Sequence, residues 1–66
     1  MNLKEALDFI DIGNNSILLT DENNNEYSYG ELYYFERDKK NYNKLASFEV
    51  TNIDVDDDLV IFYLHN

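Results

Sequence analysis

The chain contains no cysteine, no proline and no tryptophan, and only two of its 66 residues are glycine. Without cysteine it can form neither a disulfide nor a thiolate metal site, so a chain this short has to fold by apolar packing or by self-association. Because proline is absent and glycine is rare, few positions can interrupt helices or strands. The lack of cysteine also fits a reducing compartment, and we expect the protein to be cytoplasmic.

Side chains for catalysis are equally scarce. Nucleophilic catalysis needs a nucleophile, a base and an orienting group held together, but the single histidine, His65, is the penultimate residue. Neither Ser16 nor Ser28 lies in a nucleophile motif, and a chain of this size has little room to enclose a ligand pocket of about 300 Å³. We therefore predict a protein that is not an enzyme and that carries no cofactor.

Long apolar runs are also missing. No segment approaches the roughly 18–20 apolar residues of a transmembrane helix, and Lys4, Glu5, Asp8 and Asp11 interrupt any signal-peptide core in the first twelve residues. Apolar residues nevertheless make up 44% of the chain and aromatic residues 15%, which is more than a disordered segment carries. The composition predicts one folded domain over residues 1–66.

Positive charge is scarce, whereas negative charge is abundant. Five Lys and Arg stand against fourteen Asp and Glu, so the formal net charge is −9, and a magnitude of about 2–8 is usual for a small soluble domain. Such a field repels nucleic acid and anionic membranes and attracts basic protein surfaces. Four of the five basic residues fall in segment 37–44, for which we expect a solvated loop with a helical turn running into Leu45.

Local patterns in the first third predict a helix and then a strand. Apolar residues recur at helical spacing through residues 2–10, where Asn2 and Glu5 are placed to form a capping box. Residues 16–21 (SILLTD) predict a strand, and the run Asn23–Asn25 predicts a turn because asparagine tolerates left-handed backbone angles.

The tyrosine-rich segment EYSYGELYYFE admits two interpretations. As the second arm of a hairpin, it has Gly30 at a bulge or bend. Its alternation then places four aromatic side chains on one face: Tyr27, Tyr29, Tyr33 and Phe35. As the start of a helix, it has Ser28 and Glu31 in a capping box. The β-propensity of the aromatic residues favours the strand, but the choice between strand and helix for residues 29–36 stays open from sequence alone.

The last third predicts a second hairpin. Residues 48–55 alternate imperfectly, and a bulge near Asn52 would bring their apolar side chains to one face. Asp56–Asp58 predicts the turn, and the continuous apolar run 59–64 predicts a strand covered on both faces, with a second subunit as the second cover. The predicted fold class is α+β, with a short N-terminal helix packed on a small antiparallel sheet of about four strands in two hairpins.

Alternate aspartates in the last third have the spacing that opens a calcium-binding loop. Asp54, Asp56 and Asp58 occupy its first, third and fifth positions. The rest of the loop does not match, because Leu59 stands where glycine is needed and His65 where a bidentate glutamate is needed. We predict a solvated acidic hairpin turn and no metal site.

The acidic residues and the tyrosines are the remaining candidates for a binding surface. Carboxylates at alternate positions of a strand lie about 6.5–7 Å apart on one face, so a row of them could imitate DNA phosphates. Tyrosine is also a favoured anchor at protein interfaces. The predicted partner-binding residues are Asp54, Asp56, Asp57 and Asp58 as one cluster, Asp21, Glu22 and Glu26 as a second, and Tyr27, Tyr29 and Tyr33 as anchors.

Three stretches carry a resemblance to a known class of proteins: NLKEALDFI, ILLTDENNNEYSYGE and FEVTNIDVDDDLVIFYL. In these stretches and in the order of its elements, the chain resembles small acidic proteins of phages and mobile elements of low-GC Gram-positive bacteria. Several proteins of that class are anti-CRISPR or anti-restriction inhibitors that imitate DNA. The resemblance implies a place in the bacterial cytoplasm and an inhibitory role, and it assigns no role to any single residue.

Together these observations predict an inhibitor that binds the basic surface of a nucleic-acid-binding protein. In its most specific form it is an anti-CRISPR that covers the residues with which a Cas9-type nuclease reads the PAM duplex. The alternative is a structural or self-assembling accessory protein, such as a homodimer. In that case the basic segment 37–44 would meet an acidic patch of a second copy, and the strand 59–64 would be covered by it.

Overall fold

A computed structural model describes all 66 residues of the chain, which form three short helices and four strands. The bounds of these elements are α1 Leu3–Phe9, β1 Ser16–Asp21, β2 Glu26–Glu31, α2 Leu32–Arg37, α3 Lys39–Leu45, β3 Glu49–Asp56 and β4 Leu59–His65. None of the helices has the length and apolar character needed to cross a membrane.

Helix α1 begins at the capping box that the sequence predicts. Asn2 Oδ1 accepts a hydrogen bond from the Glu5 N–H, and Glu5 Oε1 accepts one from the Asn2 N–H, both at 2.9 Å. A helix of seven residues is unstable by itself. Burial of Leu3 and Ala6 and a 2.9 Å hydrogen bond from the Leu3 N–H to the Phe48 carbonyl hold it in place.

The four strands form one sheet with the order β2-β1-β4-β3. The antiparallel pairs β1–β2 and β3–β4 are the two predicted hairpins, and the α+β class is confirmed. The two central strands, β1 and β4, pair in parallel, so the sheet is mixed and not purely antiparallel. A parallel pair needs a long connection, and the segment with α2 and α3 carries the chain from the first hairpin to the second.

The tyrosine-rich segment is a strand that changes into a helix. Strand β2 ends at Glu31 and α2 begins at Leu32, so a strand and a helix each occupy part of residues 29–36. The predicted capping box of Ser28 and Glu31 is wrong, because Ser28 lies within β2 and Glu31 is an N-cap that makes no side-chain hydrogen bond. Gly30 lies just before the change with a φ of 144°, a conformation that residues with a side chain rarely adopt. The pairing is nevertheless regular at Gly30, which lies opposite Ile17, and the bulge of β2 lies instead opposite Leu19 and Thr20.

Helix α3 occupies most of the basic segment, where a solvated loop is predicted. Asp38 separates α2 from α3, and its side chain accepts a hydrogen bond from the Asn41 N–H at 3.4 Å. Leu45 is buried while the lysines around it are exposed. The loop prediction is wrong, whereas the predicted helical turn running into Leu45 is confirmed. The helix is stabilised because Leu45 is buried and Tyr42 packs against the same core, with its ring centroid 5.5 Å from that of Phe35.

A bulge in β3 sets which of its side chains face the core. The pairing with β4 shifts between Val50 and Asn52, which confirms the predicted bulge. Val50 and Ile53 consequently pack against the same core. Val55 is on that face too but remains 64% exposed, because it lies near the end of an edge strand.

All three helices pack on one face of the sheet. Ten buried apolar residues form the core there: Leu3, Ala6, Ile12, Ile17, Leu19, Phe35, Leu45, Val60, Phe62 and Leu64. The other side chains of β4, namely Leu59, Ile61 and Tyr63, are half-buried on the opposite face. No helix of this chain covers that face, so its predicted cover by a second subunit stays a prediction.

Candidate functional site

The sheet face opposite the core, called here the outer face, carries no helix. Side chains alternate between the two faces along each strand, and the strand pairing aligns those of the outer face in three rows from β2 to β3. The rows consist of Glu31, Ser16, Leu59 and Asp56, then Tyr29, Leu18, Ile61 and Asp54, and then Glu26, Thr20, Tyr63 and Asn52.

The outer face has an apolar centre and two acidic rims. The apolar side chains of β1 and β4 form the centre and are half-buried. Glu26 and Glu31 on the edge strand β2, and Asp54 and Asp56 on the edge strand β3, form the rims and are exposed. Asp54 and Asp56 are two positions apart on one strand, so they lie about 7 Å from each other. The edge strands β2 and β3 are three strand spacings apart, so the two rims are separated by about 14 Å.

The carboxylates of the rims have no basic partner within the chain. The structure contains two ion pairs, one between the amino terminus and Glu49 at 3.4 Å and one between His65 and Glu22 at 3.7 Å. No lysine or arginine pairs with an acid, and Arg37 and Lys39 instead lie near tyrosine rings of their own helices. The acidic rims therefore keep their full negative potential.

The structure brings the four aspartates of the first predicted cluster together at one end of the β3–β4 hairpin. Asp54 and Asp56 lie on the outer face, and Asp57 and Asp58 form the two-residue turn, with Asp57 at a φ of 56°. The Asp58 carbonyl accepts a hydrogen bond from the Ser16 N–H at 2.9 Å, which ties the turn to β1. All four side chains are exposed, so a partner can reach them.

The second predicted cluster lies at the other end of the sheet. Asp21 is aligned with Leu64, whereas the turn of the first cluster adjoins Leu59 at the start of β4. Glu22 is exposed beside His65, and Glu26 belongs to the acidic rim of β2. Asp21 and Glu22 therefore lie apart from the first cluster, whereas Glu26 shares the outer face with Asp54 and Asp56 from the opposite rim.

Asp21 holds the β1–β2 turn. Its Oδ1 accepts hydrogen bonds from the N–H groups of Asn23 at 2.8 Å and Asn25 at 2.9 Å, and its Oδ2 accepts one from Asn25 Nδ2 at 3.0 Å. The bonds from the backbone and side chain of Asn25, with a smaller effect from Asn23, hold the pKa of Asp21 below its ordinary value of 3.8. The carboxylate stabilises the asparagine turn in its ionised form.

We expect Asp21→Ala to destabilise the protein at neutral pH and to have a smaller effect in acid. Because the pKa of Asp21 is depressed in the folded state, the stabilisation is present above the unfolded-state pKa and is lost as the pH falls through the folded-state pKa. Urea unfolding of both proteins at neutral pH and at about pH 2 measures this. A loss of unfolding free energy that is the same at both pH values would contradict a role for the ionised carboxylate.

The three predicted tyrosine anchors lie in three different environments. Tyr27 occupies a bulge in β2 and is half-buried, with its ring centroid 5.6 Å from that of Phe48 in an edge-to-face contact. Tyr29 is 63% exposed on the outer face. Tyr33 lies on α2, where Arg37 Cζ is 5.1 Å from its ring centroid. The single aromatic face is a wrong prediction, because the bulge turns Tyr27 toward the core and a helix begins before Tyr33.

The apolar centre of the outer face is the part that sequence reasoning misses. Leu18 and Ile61 lie in segments that predict buried strands, and nothing local shows that these two residues are neighbours. One signal exists in β1, where the polar residues Ser16 and Thr20 share the parity of Leu18. Ser16 is half-buried, but Thr20 is buried and its Oγ1 donates a hydrogen bond to the Asn25 carbonyl at 3.1 Å. The position of Leu18 beside Ile61 follows from the pairing of β1 with β4, which no local pattern predicts.

The surface also contains three clefts, of about 200, 300 and 400 Å³. The smallest lies beside Tyr29 and Tyr34 at the edge of β2, and the next lies between Asp21 and His65. No group of three or more histidine, aspartate or glutamate side chains is arranged to hold a metal ion.

Comparison with protein-family models, with curated proteins and with solved structures finds no match to this chain.

Proposed function

We propose that the protein is a non-catalytic inhibitor that binds the cationic, nucleic-acid-contacting surface of a partner protein. The observation that supports the proposal is the acidic row at the end of β3 and in its turn, formed by Asp54, Asp56, Asp57 and Asp58. No lysine or arginine of this chain pairs with them, so binding breaks no internal ion pair. Their field also steers a basic partner and accelerates association, an effect that weakens as salt rises.

The partner that fits best uses the same cations to hold DNA phosphates. Asp54 and Asp56 present carboxylates about 7 Å apart along a strand, and the net charge of −9 repels nucleic acid itself. The protein then competes with DNA for the partner and does not bind DNA. In the most specific form, based on the resemblance to small acidic phage proteins, the partner is a Cas9-type nuclease whose PAM-reading arginines are covered.

A pull-down from the lysate of a low-GC Gram-positive bacterium tests this proposal. Tagged protein is used at about 0.1 M and about 0.5 M salt, where screening of charges differs strongly. We expect capture of a DNA-binding protein that is lost at the higher salt and displaced by added duplex DNA. Capture that resists both salt and DNA would contradict the proposal. For the Cas9-type form, target cleavage by the purified nuclease should fall as this protein is added.

The basic and the acidic residues lie on different surfaces of the protein, which favours self-association as a second candidate function. The four cations of the basic segment lie on α2 and α3 or at their ends, and the acidic rims lie on the sheet. The acidic surface of one copy could therefore meet the helices of the next in a head-to-tail contact. Light scattering after size exclusion at the same two salt concentrations distinguishes this function, since a monomer at both would exclude it.

A further inference from the structure

We propose that the outer face is the docking site for a basic amphipathic helix of the partner protein. The apolar stripe of that helix would lie on β1 and β4, and its lysines and arginines would pair with the acidic rims on both sides. The inference rests on the proposed function for the presence of a cationic partner. It adds which element of the partner binds and which surface of this protein receives it.

The centre of the outer face is apolar, although no part of this chain covers it. Leu18 and Ile61 are directly paired across β1 and β4, and both are half-buried. Tyr29 extends the same row and is 63% exposed. An apolar sheet face is normally buried against another layer, and an apolar patch rimmed by polar groups is typical of an interaction surface.

The charge on the rims disfavours two copies joined through this same face. Glu26 and Glu31 lie on one edge of the outer face and Asp54 and Asp56 on the other, and none of the residues in its three rows is basic. Two copies that joined these faces would bring carboxylates together without a compensating cation, which is unfavourable. The complementary surface has an apolar stripe with cations on both flanks.

The distance between the rims indicates that the occupant is a helix. The rims lie about 14 Å apart, and an α-helix with its side chains is about 10–12 Å across, so its flanking side chains can reach both. A single extended strand occupies only about 4.8 Å and cannot contact both rims. The six residues of β1 span about 20 Å, which corresponds to a helix of about 13 residues.

A synthetic peptide of about 18 residues is the probe, long enough to cover β1 as a helix. It carries leucine at i, i+3, i+4 and i+7 and lysine or arginine on both flanks of that stripe. A control peptide has the same composition in an order that scatters the leucines. Each peptide is titrated separately into the ¹⁵N-labelled protein, and the amide shifts are followed by NMR. We expect saturable shifts in the amides of β1 and β4, and binding of the amphipathic peptide about tenfold tighter than that of the control.

Two matched substitutions locate the peptide on the outer face. Ile61→Asn removes the apolar centre and should weaken binding about tenfold or more. Phe9→Asn removes an apolar side chain that is 83% exposed on α1 and should leave binding unchanged. If the NMR spectrum shows that Ile61→Asn does not fold, Tyr29→Ser carries the same test at an exposed position, with a smaller loss expected.

The results separate this inference from the proposed function. Equal binding of both peptides, or unchanged binding by folded Ile61→Asn, overturns the docking site even where the acidic residues still capture a DNA-binding protein. Peptide binding that depends on Ile61, without any DNA-displaced partner in the lysate, supports the docking site and contradicts the proposed function. A dimer in solution that Ile61→Asn dissociates overturns the inference, because a second copy would then be the occupant.

Discussion

Replacing Asp54 and Asp56 by lysine is expected to abolish binding to the cationic partner without unfolding the protein. Both residues are exposed on an edge strand, and their side chains make one hydrogen bond, from the adjacent Val55 N–H to Asp54 Oδ1 at 2.9 Å. Each lysine would face a cation of the partner, and like-charge contacts cost several kcal/mol. Since about 1.4 kcal/mol is a tenfold change in Kd, we expect binding to weaken about 100-fold or more.

A matched double variant, D8K/E36K, tests whether binding depends on where the negative charges lie or on the net charge alone. Each of the four substitutions adds two units of charge, so both double variants change the net charge from −9 to −5. Asp8 on α1 and Glu36 on α2 are exposed and lie outside the outer face. Calorimetric titration of the captured partner should show binding by D8K/E36K and none by D54K/D56K. Similar weakening in both variants would mean that net charge alone attracts the partner.

Replacing Phe62 by alanine is expected to remove most of the stability of the fold. Phe62 is 0% exposed in β4, between Leu19 of β1 and Ile53 of β3. Such a substitution costs about 3–5 kcal/mol, against a total of about 3–10 kcal/mol for a domain of this length. We expect the melting temperature to fall by about 12–40 °C, measured by circular dichroism.

The control for this prediction is the same chemical change at a surface position. Phe9 on α1 is 83% exposed, so Phe9→Ala removes little buried area and should change stability by no more than about 0.5 kcal/mol. If Phe9→Ala lowered the melting temperature as much as Phe62→Ala does, the assignment of the core to the helix-covered face would be wrong.

Elements whose signals lie within a few residues could be predicted from the sequence. The capping box of Asn2 and Glu5, the asparagine turn after β1 and the bulge beside Asn52 are each decided by short-range hydrogen bonding or by alternation. The two hairpins follow for the same reason, since each joins segments that are close in the chain. The acidic turn is predicted at Asp56–Asp58 from the same short-range signals, and in the structure Asp56 ends β3 while Asp57 and Asp58 form the turn.

Elements with competing local signals needed the rest of the molecule. In residues 29–36 both strand and helix patterns are present, and the structure uses one after the other with Gly30 at the change. The basic segment forms a helix because Leu45 is buried in a core built from distant residues. Neither choice is visible within a window of ten residues, because the energy that decides it comes from tertiary packing.

The net charge of −9, the concentration of cations in one segment and most of the turns can be read from the sequence, because these depend on composition and near neighbours. The parallel β1–β4 pair that joins the two hairpins is visible in the tertiary structure alone. That pairing sets Leu18 beside Ile61 and leaves acidic residues on both edges of one uncovered face. It joins residues far apart in the chain, whose packing on a shared core has to offset the entropy of closing a long loop.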